Sequence, residues 1–314
     1  MSEPLVFSMS QISTYIECKK KAHLAYEMGL EPKPNEESAM SKGTAFHQYA
    51  EFQTTTHWPH LPQVACPDVT QETADLWSHW WANKGEAKHE TKKRVLGVEA
   101  PLYTPIEINT GIPGQRVYLR TTFDEIYLDK EGWIVGLDYK TFKVASTWDV
   151  DLDFQGRIYI AALQHLFPTY RTRFEYERIR QSAPGTPRGN SQFLRMEEGE
   201  WWQYNKAGDK RKRAELWTPD ECYQTTTLVV AKDELEVLWN ETKFNIMELI
   251  VRRRAAETML GAWGRTSSHS SCQYCNFQAL CKADLFGQLD EQTIEALANH
   301  REPLEIPEEL KIVE

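Results

Sequence analysis

Gly136-Leu137-Asp138-Tyr139-Lys140-Thr141 closes an apolar run that begins at Trp133 and reads as a β-strand over 133–140. Residues two apart in a strand project on one face, so Asp138 and Lys140 stand side by side. The preceding strand, 117–128, carries Thr122-Phe123-Asp124-Glu125, and Asp129-Lys130-Glu131-Gly132 between the two strands has the composition of a hairpin turn. That hairpin brings Asp124 beside Asp138. Two carboxylates and an ammonium at one sheet edge suit metal-assisted phosphodiester hydrolysis. Carboxylate oxygens hold Mg²⁺ or Mn²⁺, the ion offsets charge at phosphorus and acidifies a bound water, and the lysine orients that water or stabilises developing charge. The competing reading is a surface Asp-Lys pair, and an isolated Asp-x-Lys triplet favours it.

The surrounding segments change that balance. After Asp138 a helix over 154–167 carries Gln155 and Tyr159, one turn apart on one face. Upstream, a helix over 39–52 contains Gly43-Thr44-Ala45-Phe46-His47. A lone helical histidine is ordinarily structural, but a Gly-x-x-x-His helix, an Asp strand, an Asp-x-Lys strand and a Gln-x-x-x-Tyr helix form an ordered series that chance rarely supplies. Further strands read at 95–103, 171–179 and 224–230. A first helix starts at Ser8 or Ser10, with Ser8 and Gln11 at capping-box spacing, and runs through Ile12, Tyr15, Ile16, Leu24 and Tyr26 to Gly29. Trp77 and Trp81 share a face of a third helix as packing residues. A long amphipathic helix over 233–259 sets Leu235, Leu238, Phe244, Met247 and Ile250 on its apolar side. Strands framed by helices on both sides predict an α/β fold with a mixed central sheet flanked by helices.

The 314 residues, 41% hydrophobic and 26% charged, exclude collagen-like, disordered and low-complexity classes. No apolar run approaches the roughly 20 residues of a membrane span, and no basic-then-apolar leader is visible, so a soluble cytoplasmic protein with no membrane partner is expected. The net charge of −10 argues at first sight against nucleic acid, but residues 284–314 hold nine acids against two bases, leaving −3 for the rest. The expected organisation is one domain over 1–285, with a helical part at 8–90, a catalytic core at 95–180, an irregular insertion at 180–217, and a C-terminal helix with a cysteine segment at 218–285. An acidic tail, 286–314, lies outside it, flexible or mediating protein contacts. Basic residues cluster at 19–21, 92–94, 206–213 and 252–254. Among these, Trp201 to Trp217 interleaves rings with cations, as a single-strand track or as a solvated hairpin.

Six cysteines without an export signal read as buried thiols or metal ligands rather than disulfides. Cys272, Cys275 and Cys281 can line one centre but leave it a ligand short, and Cys18 is the candidate fourth, 254 residues upstream. Zinc, an iron–sulfur cluster and plain thiols all suit such a set. Cys66 and Cys222 have no partner pattern.

Taken together, the series from His47 to Tyr159 resembles the PD-(D/E)xK nuclease superfamily, in its RecB-like branch with CRISPR-associated iron–sulfur exonucleases and AddB nuclease domains, over about residues 5–285. The resemblance implies a restriction-endonuclease-like core. It implies His47, Asp124, Asp138 and the Tyr139 carbonyl as ligands of Mg²⁺ or Mn²⁺, Lys140 as the catalytic lysine, and Gln155 and Tyr159 as positioning groups. Glu99 resembles a recurrent acidic position. Asp138 stands where many relatives carry Glu, and both occur. Cys18, Cys272, Cys275 and Cys281 resemble the clip that binds a 4Fe–4S cluster of structural role. The activity implied is that of a metal-dependent DNA exonuclease acting on single strands or duplex ends in recombination, repair or phage DNA processing. A recombination or repair protein is implied as partner, and an oligomer is left open. The rival readings are a non-catalytic DNA-binding or assembly subunit of the same fold, and a zinc-stabilised nuclease.

Overall fold

The computed structural model describes residues 3–33, 39–99, 101–142, 153–189, 191–257, 263–265, 272–273, 275–302 and 306–307. The hairpin around the Asp129 turn forms as read. β6 (Glu125–Asp129) pairs antiparallel with β7 (Trp133–Phe142). Gly132 sits at φ +86°, a left-handed value that favours glycine. The Asp129 carboxylate fixes the turn by accepting the Trp133 N–H at 2.7 Å. The hairpin lies inside a five-stranded mixed sheet ordered β12 (Tyr223–Leu228), β8 (Arg171–Arg180), β7, β6 and β3 (Lys92–Val98), in which only β7 and β8 run parallel. The α6 helix (Phe154–Leu166) makes the crossover that a parallel pair requires.

Two expected strands prove to be broken. The stretch 95–103 divides at Glu99 into β3 and β4 (Pro101–Pro105), and 117–128 divides at Phe123-Asp124 into β5 (Val117–Thr122) and β6. The chain thereby leaves the central sheet for a second one, ordered β1 (Leu5–Ser8), β5, β4. Phe123 turns into the core at the break, where it is 1% exposed. Asp124 is left at the seam between the two sheets.

Successive residues of β7 bury opposite faces, so a central strand reads apolar on both sides. Ile134 points into a core shared with Phe123, Phe174, Ile158 of α6, Ile12 and Tyr15 of α1 (Met9–Glu17), and Ile246 and Leu249. Val135, Leu137 and Tyr139 point into the other core, with Phe46 of α3 (Ala39–His57) and Trp77 and Trp80 of α4 (Gln71–Trp80). Trp77 and Trp81 do pack as expected, their rings 6.0 Å apart. Ser8 is the N-cap of α1, its hydroxyl accepting the Gln11 N–H at 3.1 Å. The Gln11 amide reaches Glu27 instead of closing the capping box. The first helix also ends earlier than read: Cys18 is extended, and α2 (Lys19–Ala22) restarts beyond it.

Four further readings are corrected. The insertion at 180–217 contains a small antiparallel sheet, β9 (Leu194–Glu197), β10 (Glu200–Tyr204) and β11 (Lys210–Arg213). After α7 (Pro219–Cys222), the long α8 (Lys232–Ala256) buries Leu238, Thr242, Ile246, Leu249 and Ile250, while Phe244 is 66% and Met247 43% exposed. Apolar residues lie all round this helix, so its period alone does not choose the buried face. Part of the acidic stretch beyond 286 belongs to the fold. Following α9 (Gln278–Leu285), α10 (Glu291–Leu297) leads into β13 (Ala298–His300), which pairs with β2 (Leu30–Pro32) and packs Leu297 and Ala298 against Leu24 and Leu30. Most clustered cations tie elements together rather than line a surface. Lys19 meets Glu248, Lys20 meets Asp284, Lys92 meets buried Glu125, and Arg253 meets Glu27. Lys88 of α5 (Glu86–Thr91) lies between Glu175 and Glu177 beneath β8.

Candidate active site

One step beyond the Glu125–Leu137 pair of the hairpin register, Asp124 falls opposite Asp138, where the turn reading put it. The Asp124 carboxylate is held from two sides. One oxygen lies 2.9 Å from His47 Nδ1, and the other accepts the Tyr139 N–H. His47 comes from α3, one turn after Gly43, where an added Cβ would meet Thr141 Oγ1 of β7 at an ordinary contact distance of 3.5 Å. Glu99, at the break between β3 and β4, has φ +46°, a costly backbone conformation for a residue with a side chain. Its N–H donates to the Asp124 carbonyl at 3.2 Å, and its carboxylate lies 3.9 Å from His47 Nδ1.

His47, Glu99 and Asp124 each offer a ligand atom within 4.8 Å of the others'. One imidazole and two carboxylates suit a hard divalent ion such as Mg²⁺ or Mn²⁺. Burial opposes charge on His47, yet the hydrogen bond it makes to Asp124 and the nearby Glu99 carboxylate outweigh it and push the imidazole up to about 10. Glu51, one turn past His47, was not read from the sequence. Burial and the neighbouring Glu99 raise its carboxyl above the usual range, and its i, i+4 spacing from His47 is the one sequence signal that could have found it.

Asp138 is 6% exposed. Desolvation raises its carboxyl to about 6, against the pull of Lys140, whose Nζ is 2.7 Å away, and with a further push from Asp124. Lys140 also lies over the Tyr176 ring, 5.9 Å from its centre. Its ammonium is held charged above its ordinary range: burial works against this, and Asp138 more than offsets it.

Gln155 and Tyr159 share a face of α6, as read, and the Gln155 amide donates to the Tyr159 hydroxyl at 3.3 Å. Tyr159 packs on Phe123, with ring centres 4.6 Å apart. Its phenol is pushed up to about 12, chiefly by burial and then by the Asp138 and Asp124 charges. Asp153 caps α6 by accepting the Gln155 N–H, and it receives the Tyr176 hydroxyl. The structure thus gathers His47, Glu99 and Asp124 tightly, sets Asp138 and Lys140 beside them, and seats Tyr159 behind the Asp124 seam. The Tyr139 side chain goes the other way, into the tryptophan core, with Trp80 5.4 Å from it.

At the far end of α1, Cys18, Cys272, Cys275 and Cys281 line one apolar hollow of about 240 Å³, with Leu24, Phe277 and Leu285. Burial raises the Cys275 thiol, Lys21 lowers it, and nearby Cys18 adds a further upward push. Cys222 is instead buried apart, donating to the Ser182 carbonyl, and Cys66 is exposed.

A model of the PD-(D/E)XK nuclease superfamily matches residues 6–282. A search of curated proteins finds no match. Among solved structures, the crystal structure of SSO0001 is similar with a TM-score of 0.35 and 11% identity, over 90% of this chain and 88% of that one.

Proposed function

Since this chain belongs to the PD-(D/E)XK nuclease superfamily, a family of metal-dependent nucleases, we propose that it is a DNA exonuclease of the RecB-like branch using Mg²⁺ or Mn²⁺. The observation that carries the reading is the convergence of His47, Glu99 and Asp124 on one point beside the buried Asp138–Lys140 pair. His47, Asp124 and Asp138, with the Tyr139 carbonyl and with Glu99 added by its position, would hold the divalent ion, which would supply neutralisation of phosphate charge and acidification of water. Lys140 is a charged donor beside the scissile phosphate: it orients the attacking water and stabilises charge that develops on the phosphoryl oxygens. The Asp138 carboxylate fixes the Lys140 ammonium. Gln155 and Tyr159 support the Phe123–Asp124 seam from behind and keep Asp124 in register.

The second part of the reading is a 4Fe–4S cluster on Cys18, Cys272, Cys275 and Cys281. Four thiols of one hollow supply the ligand number such clusters use. A Cys₄ zinc site would use the same four ligands, and the metal content of the protein separates the two. The cluster's role is structural, because hydrolysis moves no electrons. It would tie α1 to the C-terminal segment.

The test is digestion of DNA labelled at its 5′ or 3′ end, with wild type, Asp138→Asn and Lys140→Gln, in Mg²⁺ and in Mn²⁺. Progressive end-shortening by the wild type, lost in both variants with the melting temperature retained, is the expected result. Internal cuts would replace exonuclease with endonuclease, and full activity in either variant would remove the assignment. For the clip, anaerobically prepared protein should carry iron and acid-labile sulfide that Cys18→Ser loses; colourless protein with zinc at one per chain would refute it.

A further inference from the structure

Away from both centres, a cavity of about 760 Å³ opens where β1 meets α1, and Arg120, Arg253 and Arg301 line it together with Ser8, Ser10, Glu27 and Glu302. Its volume falls in the range of small-molecule sites. One of these cations is already satisfied: Arg253 binds Glu27 at 2.8 Å and stacks over Phe7, 4.7 Å from the ring centre. The other two are not. Arg120, half-buried on β5, has its Nε enclosed without a hydrogen-bond partner, and Arg301 lies over the Tyr26 ring, 4.6 Å from its centre, and makes no ion pair among the described residues, though Glu302 lines the same cavity. Ser8 is the direct strand neighbour of Arg120 across β1–β5, so both side chains leave the sheet on the cavity side. Ser8 and Ser10 hydroxyls lie 3.0 Å apart at the same wall.

An enclosed guanidinium N–H without an acceptor is costly, and the planar fork of arginine matches phosphate oxygens two at a time. Two such groups with two hydroxyls around one cavity call for a tetrahedral oxyanion. Arg120 precedes Asp124 by four residues, so their Cα atoms are at most about 14 Å apart. With the reach of the two side chains added, a phosphate held by Arg120 lies within several nucleotides of the Asp124 group at ~3.4 Å per nucleotide step.

We propose that this cavity anchors a phosphate of the nucleic-acid strand through Arg120 and Arg301, with one hydroxyl of the bonded Ser8–Ser10 pair as a further donor. The proposal rests on the nuclease reading for the identity of the strand, and its test is run without divalent metal so that the two are separable. Fluorescence anisotropy in EDTA measures binding of a short single-stranded DNA ending in hydroxyls or in a terminal phosphate, across a salt series. Arg120→Gln and Arg301→Gln are each expected to weaken binding about five- to tenfold and to lower the salt slope by about one. Arg120→Lys, which keeps the charge and loses the fork, recovers part of the loss. Lys130→Gln, at the exposed hairpin turn, removes the same charge elsewhere and changes neither quantity.

Preference for phosphate-ended DNA, abolished in Arg120→Gln, identifies a terminal phosphate; equal affinities that both fall in Arg120→Gln identify an internal one. Should the variants fail to fold, the wild type still decides: inorganic phosphate replacing chloride at fixed ionic strength displaces the strand if the cavity holds phosphate. Strand binding indifferent to phosphate and to both substitutions overturns the anchor, even where hydrolysis is intact. Phosphate binding that Arg120→Gln abolishes while strand binding is unaffected also overturns it. Intact strand anchoring in a protein that hydrolyses nothing overturns the nuclease reading alone.

Discussion

Gly136→Ala tests how the core aims the site. Gly136 shares its strand face with Asp138, and a Cβ at that position would stand 2.6 Å and 2.7 Å from two edge carbons of Phe123 and 3.0 Å from Phe174. Carbon atoms rest about 3.5–4.0 Å apart, so the Phe123 ring must recede by about 1 Å. It has little room, being packed on Tyr159 with ring centres 4.6 Å apart. Overpacking of this kind costs about 1–3 kcal/mol. For 314 residues, at ~2.1 cal/mol/K of unfolding entropy per residue, that lowers Tm by about 2–5 °C.

The functional cost should be larger, because Asp124 is bonded to Phe123 and a misplacement of about 1 Å can cost ~10²-fold in rate. The assay pairs initial rates of Mn²⁺-dependent hydrolysis of labelled DNA with thermal melts. Phe123→Leu in the same chain withdraws the ring edge, so the double variant should recover much of both losses, a favourable coupling of about 1 kcal/mol or more. A single variant that melts early yet hydrolyses within about threefold of wild type would refute the idea that Phe123 sets the position of Asp124. A double variant no better than the single would show that the contact is not the cause.

Three other outcomes rest on the same geometry. Glu99→Gln should weaken Mn²⁺ binding about tenfold, or about 1.4 kcal/mol, by isothermal calorimetry; unchanged affinity takes Glu99 out of the ligand set. Lys88→Met leaves Glu175 and Glu177, 5% and 1% exposed, without their shared cation, and should cost about 3–5 kcal/mol at pH 7 in urea unfolding. Burial pushes the Glu175 carboxyl up, but Lys88 and then Arg173 outweigh it and hold it below its ordinary range. Its contribution is therefore present above the unfolded carboxyl range and lost as pH falls through the lowered native value. The gap between wild type and Lys88→Met should narrow on going from pH 7 to pH 4, and a constant gap would contradict the pairing. On α8, Ile246→Ala should cost about 2–5 kcal/mol, whereas Phe244→Ser stays within about 0.5 kcal/mol; the reverse order would restore the apolar face expected from the sequence.

Much of the site was legible because it is local. The Asp129–Gly132 turn fixes the hairpin register, and register places Asp124 opposite Asp138 and Lys140 beside Asp138 with no help from the rest of the chain. The i, i+4 spacing likewise places Gln155 and Tyr159 on one face, whatever that face meets. Other assignments depend on what a side chain finds across the molecule. The lysines at 19–21 and Lys92 look like a surface track in one dimension but meet Glu248, Asp284, Glu17 and Glu125 in three. Glu99 reads as a minor acidic position until the break at its strained backbone turns it toward His47.

Periodicity and turn chemistry act over a few residues, and within that range the sequence alone determined the α/β class, the central hairpin and the carboxylate–lysine pair. The tertiary structure decided which helix face is buried, that residues 291–300 rejoin β2, which carboxylate joins the His47–Asp124 pair, and where Arg120 and Arg301 lie without an ion pair among the described residues. Those outcomes are set by packing and charge pairing between segments far apart in the chain, and no local pattern encodes which distant segment a side chain will meet.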